Sequence, residues 1–242
     1  MLVYVPTGEG RDRGHRIIKQ VLQRWKPPPH FFHFQDGGHV AACRYHRTGP
    51  VFARMDIQSF FPSVTRTKVH RALKRLGFSQ SEALDITYAS TVESFTDPGK
   101  YALPFGFVQS MVLASAALDC SHLGKRLRSS NQFGVKVSVY VDDILLSAAL
   151  DQHLGAYIVA LVEAGDAAGY RFNSTKMSSP SPVAEAFNIC VSNNDLRVNA
   201  MRMAKFENVV RSGAPDTAAA VIRYVASVNR GQADWLSNLG AP

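Results

Sequence analysis

Cysteine is scarce in this sequence: the three present, Cys43, Cys120 and Cys190, are an odd set among 242 residues. So few cysteines argue against a disulfide framework and indicate a reducing compartment. No apolar run is long enough for a transmembrane helix, and the first residues lack the basic and then apolar pattern of a secretory signal. Internal repeats and low-complexity linkers are also lacking. We therefore expect a cytoplasmic protein without a membrane partner.

Acidic residues are outnumbered by basic ones, 19 against 27, which gives a formal net charge of +8 and a sequence pI of about 9.6. This balance suits a polyanionic partner such as nucleic acid, although solubility alone would also explain it. Hydrophobic residues make up 46% of the chain. That is enough to bury a core in one domain, or in one domain with small lobes.

The most informative stretch is residues 137–147, in which Asp142 and Asp143 separate two short apolar runs. The runs are rich in β-branched residues and predict two strands, with the acid pair at the turn of a hairpin. Neighbouring residues of a strand point to opposite faces, so one Asp can face a cleft while the other points aside. Asp-Asp is also a common turn dipeptide. Two charges in an apolar hairpin nevertheless need a cation or hydrogen-bond donors nearby, which favours a metal site.

A second carboxylate strengthens this interpretation. Asp56 ends an apolar strand predicted over residues 51–56 and is followed by the sequence Phe60-Phe61-Pro62. Two strands that each bring a carboxylate to one place can hold a pair of divalent cations, as an in-line phosphoryl displacement requires.

The two motifs together resemble those of reverse transcriptases. Asp-Ile-x-x-Phe-Phe-x-Ser, starting at Asp56, resembles the first catalytic motif of that family, and Tyr-Val-Asp-Asp, ending at Asp143, resembles its signature hairpin. The resemblance covers about residues 4 to 235 and is nearest to bacterial group II intron, retron and defence-type enzymes. The Val-Thr-Gly signature of retrons has no match here, whereas Pro-Phe-Gly-Phe-x-x-Ser, ending at Ser110, is similar to the abortive-infection and defence-associated branch.

The resemblance implies a set of catalytic residues. Asp56 and Asp142 would bind two Mg²⁺ ions, or Mn²⁺, with Asp143 assisting and the carbonyl of Ile57 as a further ligand; such hard oxygen ligands select these ions. Lys176 ends a stretch similar to the family motif Gly-x-x-x-Asn-x-x-Lys, where a lysine protonates or neutralises the pyrophosphate leaving group.

The resemblance also implies substrate contacts. Phe61, five residues after Asp56, would abut the sugar C2′ and exclude a ribose hydroxyl. A basic, glycine-rich turn at residues 8–16 is similar to the fingers hairpin that covers the triphosphate, or else it is simply solvated.

Residues 101–110 resemble the second family motif, which lines the nucleotide, with Phe where the family has Gln. Basic residues near the C-terminus would contact a duplex backbone or only solubilise that lobe. The nucleotide-binding candidates are Arg11, Arg13, Arg16, Phe61, Phe105, Gly106 and Ser110, and the nucleic-acid-binding candidates are Arg202, Lys205 and Arg211.

The expected fold is α+β, a right-hand polymerase palm whose antiparallel sheet is backed by helices. Residues 1–50 would form small fingers, residues 51–198 the palm, with a helical insertion at about 64–103, and residues 199–242 a short thumb of two helices. Periodicity and breaker residues predict several of the elements. These are helices over 17–25, 65–76, 79–94 and 150–168, a long helix from the 101–110 stretch to about 127, and a hairpin that turns at Asn193-Asn194.

The expected function is RNA-directed DNA synthesis from dNTPs on a template and primer of RNA and DNA, in anti-phage defence. The alternatives are an RNA-templated RNA polymerase, template-independent DNA synthesis, and a nucleic-acid-binding protein without catalysis. Because fingers and thumb this short offer few phosphate contacts, we also expect a further partner: a structured RNA, a second protein subunit or copies of this chain.

Overall fold

The computed structural model of the protein describes residues 3–94 and 97–239. The chain divides into two units. The first unit comprises Met1–Phe31, Asp56–Ser130 and Ile158–Ser174, and the second comprises Phe32–Met55, Asn131–Tyr157 and Thr175–Pro242. Among the described residues, no helix combines the length and apolarity needed to cross a bilayer.

Runs of helices and runs of strands follow one another along the chain, and the strands form antiparallel hairpins, so the predicted α+β class is confirmed. Over the described residues the helices are α1 (Gly8–Arg24), α2 (Gly38–His46), α3 (Phe60–Ser63), α4 (Arg66–Arg75), α5 (Gln80–Ser90), α6 (Ser110–Asp119), α7 (His122–Arg128), α8 (Asp151–Ala167), α9 (Ala200–Ser212), α10 (Pro215–Val228) and α11 (Arg230–Leu239).

The strands form three small sheets. One sheet has the order β1-β5-β4, a two-stranded sheet pairs β2 with β3, and the third sheet has the order β6-β7-β8. The strands are β1 (Val51–Asp56), β2 (Val92–Glu93), β3 (Tyr101–Ala102), β4 (Val135–Tyr140), β5 (Asp143–Ala148), β6 (Val183–Ala186), β7 (Ile189–Ser192) and β8 (Asp195–Val198).

In the first unit, the predicted basic turn near the N-terminus is wrong. Residues 8–16 are the first turns of α1, whose start is capped by the Thr7 hydroxyl, which accepts a hydrogen bond from the Gly10 amide at 3.1 Å. Gly14 does not loosen the helix but permits close packing, because a Cβ there would collide with the side chains of Val108 and Gln109. The glycines that suggested a turn are therefore compatible with a helix that the tertiary fold stabilises.

The caps of two further helices follow the sequence signals. The Thr65 side chain accepts a hydrogen bond from the Lys68 amide at the start of α4, as predicted, and Ser79 and Glu82 form a reciprocal capping box on α5. The predicted long helix to residue 127 is wrong, because the chain breaks between α6 and α7. There Ser121 caps α7, accepting from the Gly124 amide at 3.1 Å.

In the second unit, the hairpin predicted at Asn193-Asn194 is confirmed between β7 and β8. A further hairpin precedes it, and its turn residues Phe187 and Asn188 have positive φ values of 57° and 62°. Two helices were predicted for the C-terminal segment, but its described residues form three. Asn229 ends α10, and α11 begins at the next residue. Apolar side chains of α9, α10 and α11 pack together as one cluster.

A buried histidine joins helix α2 to the central hairpin of the second unit. The two ring nitrogens of His46 lie 2.8 Å from the Ser147 hydroxyl on β5 and 2.9 Å from the Ser138 hydroxyl on β4. All three residues are almost fully buried. Burial, and next the charge of Lys136, lower the pKa of His46 to about 3, so its ring is neutral and can accept one of these bonds and donate the other.

This histidine makes stability depend on pH. Its folded pKa lies below the unfolded value of 6.5, so between those values the unfolded chain binds the extra proton. The free energy of unfolding should therefore fall on acidification below pH 6.5 by about 1.4 kcal/mol per pH unit for this group. Urea denaturation from pH 7 to pH 4 measures the slope, which His46→Gln should reduce by about that amount.

The matched control is His15→Gln, at an exposed position of α1. Equal slopes for the two variants would contradict this role of His46.

Candidate active site

The acid pair lies where the sequence predicted it, at the turn between β4 and β5. Tyr140 pairs with Asp143, so the loop consists of Val141 and Asp142 alone. Both strands are largely buried on both faces, whereas the two loop residues and Asp143 are partly exposed. The hairpin therefore presents two carboxylates at one end of an otherwise apolar structure.

Asp143 has a specific cationic partner in the same unit. The guanidinium of Arg54, on β1, donates from Nε at 3.0 Å and from a terminal nitrogen at 2.7 Å to the same Asp143 oxygen. Their side chains are only 28% and 19% exposed, so the charges are partly desolvated and their attraction is stronger than at a fully exposed site. The backbone of Arg54 is fixed as well, because its amide donates to the Ser178 hydroxyl at 2.9 Å.

In the first unit, Asp56 is the last residue of β1 and is 3% exposed. The segment after it makes a bridge with residues 171–173: the Asn173 amide donates to the Asp56 carbonyl at 2.9 Å, and the Gln58 amide donates to the Arg171 carbonyl at 2.8 Å. These bonds are made by the neighbours of Ile57 and not by its own carbonyl. The bridge thus fixes the backbone on both sides of that carbonyl.

The donors in these motifs fit a hard divalent cation. They are carboxylate and carbonyl oxygens, which Mg²⁺ and Mn²⁺ prefer. Over residues 3–94 and 97–239, no three His, Cys, Asp or Glu side chains gather as a metal-binding group.

Two predicted nucleotide-binding aromatics come together in the first unit. The Phe61 and Phe105 rings pack edge to face, with centroids 4.8 Å apart and an interplanar angle of 82°. The next residue, Gly106, has φ of 102°, and a Cβ there would collide with the Tyr4 carbonyl. The N-terminal segment also pairs with this loop through the Tyr4 amide, which donates to the Phe105 carbonyl at 2.9 Å.

The remaining candidates occupy varied environments. Ser110 is buried and its hydroxyl donates to the Pro104 carbonyl at 2.7 Å, which closes the loop before α6. Lys176 is exposed in the second unit. On α1, Arg13 contacts Asp85 at 2.6 Å, while Arg11 and Arg16 are exposed.

The basic candidates of the C-terminal segment share helix α9 and are exposed. Arg202 lies over the Phe206 ring at 4.6 Å, and Arg211 contacts Glu207 at 3.0 Å. Like the other substrate contacts, the role of Arg202, Lys205 and Arg211 stays a prediction.

Sequence reasoning missed the groups that hold the hairpin. Arg54 stands two positions before Asp56, so a charged residue shares a strand face with the carboxylate predicted to be catalytic. Ser138 and Ser147 are small polar residues inside apolar strands, and a buried hydroxyl needs a hydrogen-bonding partner. The sequence therefore contains a signal that these residues need partners, but it does not show which residues the partners are.

A hairpin with an acid pair at its turn, within a three-stranded sheet of the order β1-β5-β4, is typical of the palm class of polymerase folds. The sequence matches the family model described as reverse transcriptase (RNA-dependent DNA polymerase) over residues 13–201, more than half of the chain. The chain belongs to the reverse transcriptase family, whose members are nucleotidyltransferases. The family and the right-hand palm fold predicted from the sequence are thereby confirmed.

Solved structures show the same fold at low identity. Telomerase from Candida albicans, in complex with the TWJ fragment of telomeric RNA, is 8% identical with a TM-score of 0.55, over 95% of this chain and 47% of that chain. Apo telomerase from Candida tropicalis is 8% identical with a TM-score of 0.58, over 95% of this chain and 48% of that chain. The chain thus spans about half the length of each. A comparison with curated proteins found no match.

The pairing of Arg54 with Asp143 should be measurable as a coupling energy. A double-mutant cycle of Arg54→Met and Asp143→Asn, followed by urea denaturation, should give about 1–3 kcal/mol, because either single change leaves a partly buried charge without its partner. The matched control is the exposed pair Arg211 and Glu207, for which the cycle of Arg211→Met and Glu207→Gln should give about 0.3–0.5 kcal/mol. A coupling at Arg54 no larger than the control would refute the assignment.

Proposed function

We propose that this protein is an RNA-directed DNA polymerase that adds dNTPs to a primer by two-metal nucleotidyl transfer. The observation that carries the proposal is the Tyr-Val-Asp-Asp hairpin, with Asp142 in a two-residue loop, in a chain of the reverse transcriptase family. In this proposal Asp56 and Asp142 hold two Mg²⁺ ions, or Mn²⁺, assisted by Asp143 and the Ile57 carbonyl. When bound, such ions activate the primer hydroxyl and offset the charge that develops on the phosphate.

The residues of this chain supply positioning and proton transfer. Arg54 fixes the Asp143 carboxylate, since it engages one Asp143 oxygen through two nitrogens. Phe61, fixed against Phe105, forms the wall next to the sugar C2′ and disfavours a ribose. Lys176 donates a proton to the pyrophosphate leaving group or neutralises it. Gly106 and Ser110 shape the nucleotide side of the cleft, and Arg11, Arg13 and Arg16 attract the triphosphate.

We further propose the domain roles and partners that this function requires. Residues 1–50 act as fingers, 51–198 as palm and 199–242 as thumb, where Arg202, Lys205 and Arg211 contact the template–primer backbone. The net charge of +8 supports a nucleic-acid partner. The proposal also includes a further partner: a structured RNA, a second protein subunit or copies of this chain. The altered second motif supports membership of the bacterial defence-associated branch, with a cytoplasmic role against phage.

The metal assignment predicts the effect of a minimal substitution. Asp142→Asn keeps the shape of the side chain but removes a negative ligand, so primer extension on an RNA template in Mg²⁺ should fall to the level without enzyme, while the thermal midpoint stays near that of the wild type. Asp234→Asn, at an exposed acid of α11, is the matched control and should extend primers normally. Extension by Asp142→Asn at the control rate would exclude the two-metal proposal.

The sugar assignment predicts a change in selectivity. Phe61→Ala removes the ring that abuts C2′, so incorporation of ribonucleotides relative to deoxyribonucleotides should rise by about tenfold or more. Phe105→Ala, which removes only the ring that supports Phe61, should give a smaller change in the same direction. Competition between rNTPs and dNTPs in primer extension measures both. Unchanged discrimination in Phe61→Ala would mean that another residue, or no residue, does the sorting.

A further inference from the structure

The turn that carries Asp142 contains a backbone conformation that valine rarely adopts. Val141 has φ of 60°, in the left-handed region where a branched Cβ crowds the backbone. Glycine takes this conformation without steric cost, so a valine here needs support from its surroundings. Because Asp142 is the next residue, the direction of its carboxylate depends on how the Val141 backbone is held.

The imidazole of His33 contacts this turn directly. His33 lies on the short 3-10 turn Phe32–Phe34, and its Nδ1 is 3.1 Å from the Val141 amide nitrogen and 3.3 Å from the Val139 carbonyl oxygen. The ladder of the hairpin closes at the pair of Tyr140 with Asp143, so the Val141 amide belongs to the loop and not to the ladder. The Val141 amide can only donate, so Nδ1 accepts from it in the tautomer that carries the ring proton on Nε2, whereas in the other tautomer Nδ1 would donate to the Val139 carbonyl.

Two further observations fit an acceptor role. Burial lowers the pKa of His33 to about 4, more than the Val139 carbonyl raises it, so the neutral imidazole with its lone pair is the form present at neutral pH. The His33 ring also meets the Tyr140 ring edge to face, with centroids 6.0 Å apart and an angle of 81°. This contact fixes the direction of the imidazole.

We propose that His33 is a positioning residue: by accepting the Val141 amide hydrogen, it holds the left-handed turn and thereby orients the Asp142 carboxylate. This inference rests on the proposed polymerase function, in which that carboxylate binds the cation. His33 does not touch the reacting atoms in this role. It acts through the backbone of one residue.

A set of variants separates this role from simple packing. His33→Leu removes the acceptor, His33→Asn restores an acceptor close to the position of Nδ1, and Val141→Gly removes the need for one, because glycine adopts the turn unaided. The decisive protein is the double variant His33→Leu with Val141→Gly. If His33 acts through the strained turn, glycine should rescue the loss that leucine causes.

The kinetic expectation is specific. His33→Leu should lower kcat of nucleotide incorporation by about 10- to 100-fold, with KM for dNTP and Kd for template–primer changed by less than about threefold. His33→Asn and the double variant should each recover most of this loss. A wild-type kcat in His33→Leu, or an equal loss with and without Val141→Gly, would overturn the inference.

A measurement without catalysis distinguishes failure of this inference from failure of the proposed function. In the protein without metal or nucleotide, hydrogen exchange of the Val141 amide, followed by NMR, should be about tenfold or more faster in His33→Leu than in the wild type, and close to the wild type in His33→Asn. Equal exchange in all three proteins would show that His33 does not hold the turn. If the exchange rates are as expected but the wild-type protein extends no primer, the contact between His33 and the turn would be supported and the proposed polymerase function would be rejected.

Discussion

Two adjacent carboxylates at the end of an apolar hairpin are the constraint on which the second unit depends. Carboxylates near buried strands are unfavourable unless charges or donors compensate them. Arg54 compensates one of the two acids, since it donates two hydrogen bonds to an Asp143 oxygen. Asp142 lies next to it in the two-residue loop.

Neutral histidines support the same hairpin from two directions. His46 bonds to a serine on each strand, and the contact of His33 is with the loop. Burial lowers the pKa of both rings far enough to keep them uncharged at neutral pH. A charged side chain in either buried place would add a desolvation penalty. The neutral imidazole supplies hydrogen bonds without that penalty, and it links the stability of the hairpin to pH.

The prediction from sequence succeeded where a few neighbouring residues decide the structure. The acid hairpin, the Thr65 cap and the turn at Asn193-Asn194 are such cases, because strand alternation and cap chemistry act over short distances. It failed where packing decides. Gly14 suggested a turn, yet it lets α1 approach Val108 and Gln109 closely. The apolar run to residue 127 suggested one helix, yet Ser121 begins a new one.

The sequence by itself determined the fold class, the strand that ends at Asp56, the hairpin turn that carries Asp142 and Asp143, and the basic character of the chain. Only the tertiary structure decided which side chains hold those acids. Arg54 and Asp143 are 89 residues apart, and His33 and Val141 are 108 apart. No periodicity or cap rule acts over such separations. The partner of each group is set by which strands become neighbours in a sheet and which helix packs beneath them, because a hydrogen bond depends on distance and direction in space and not on position along the chain.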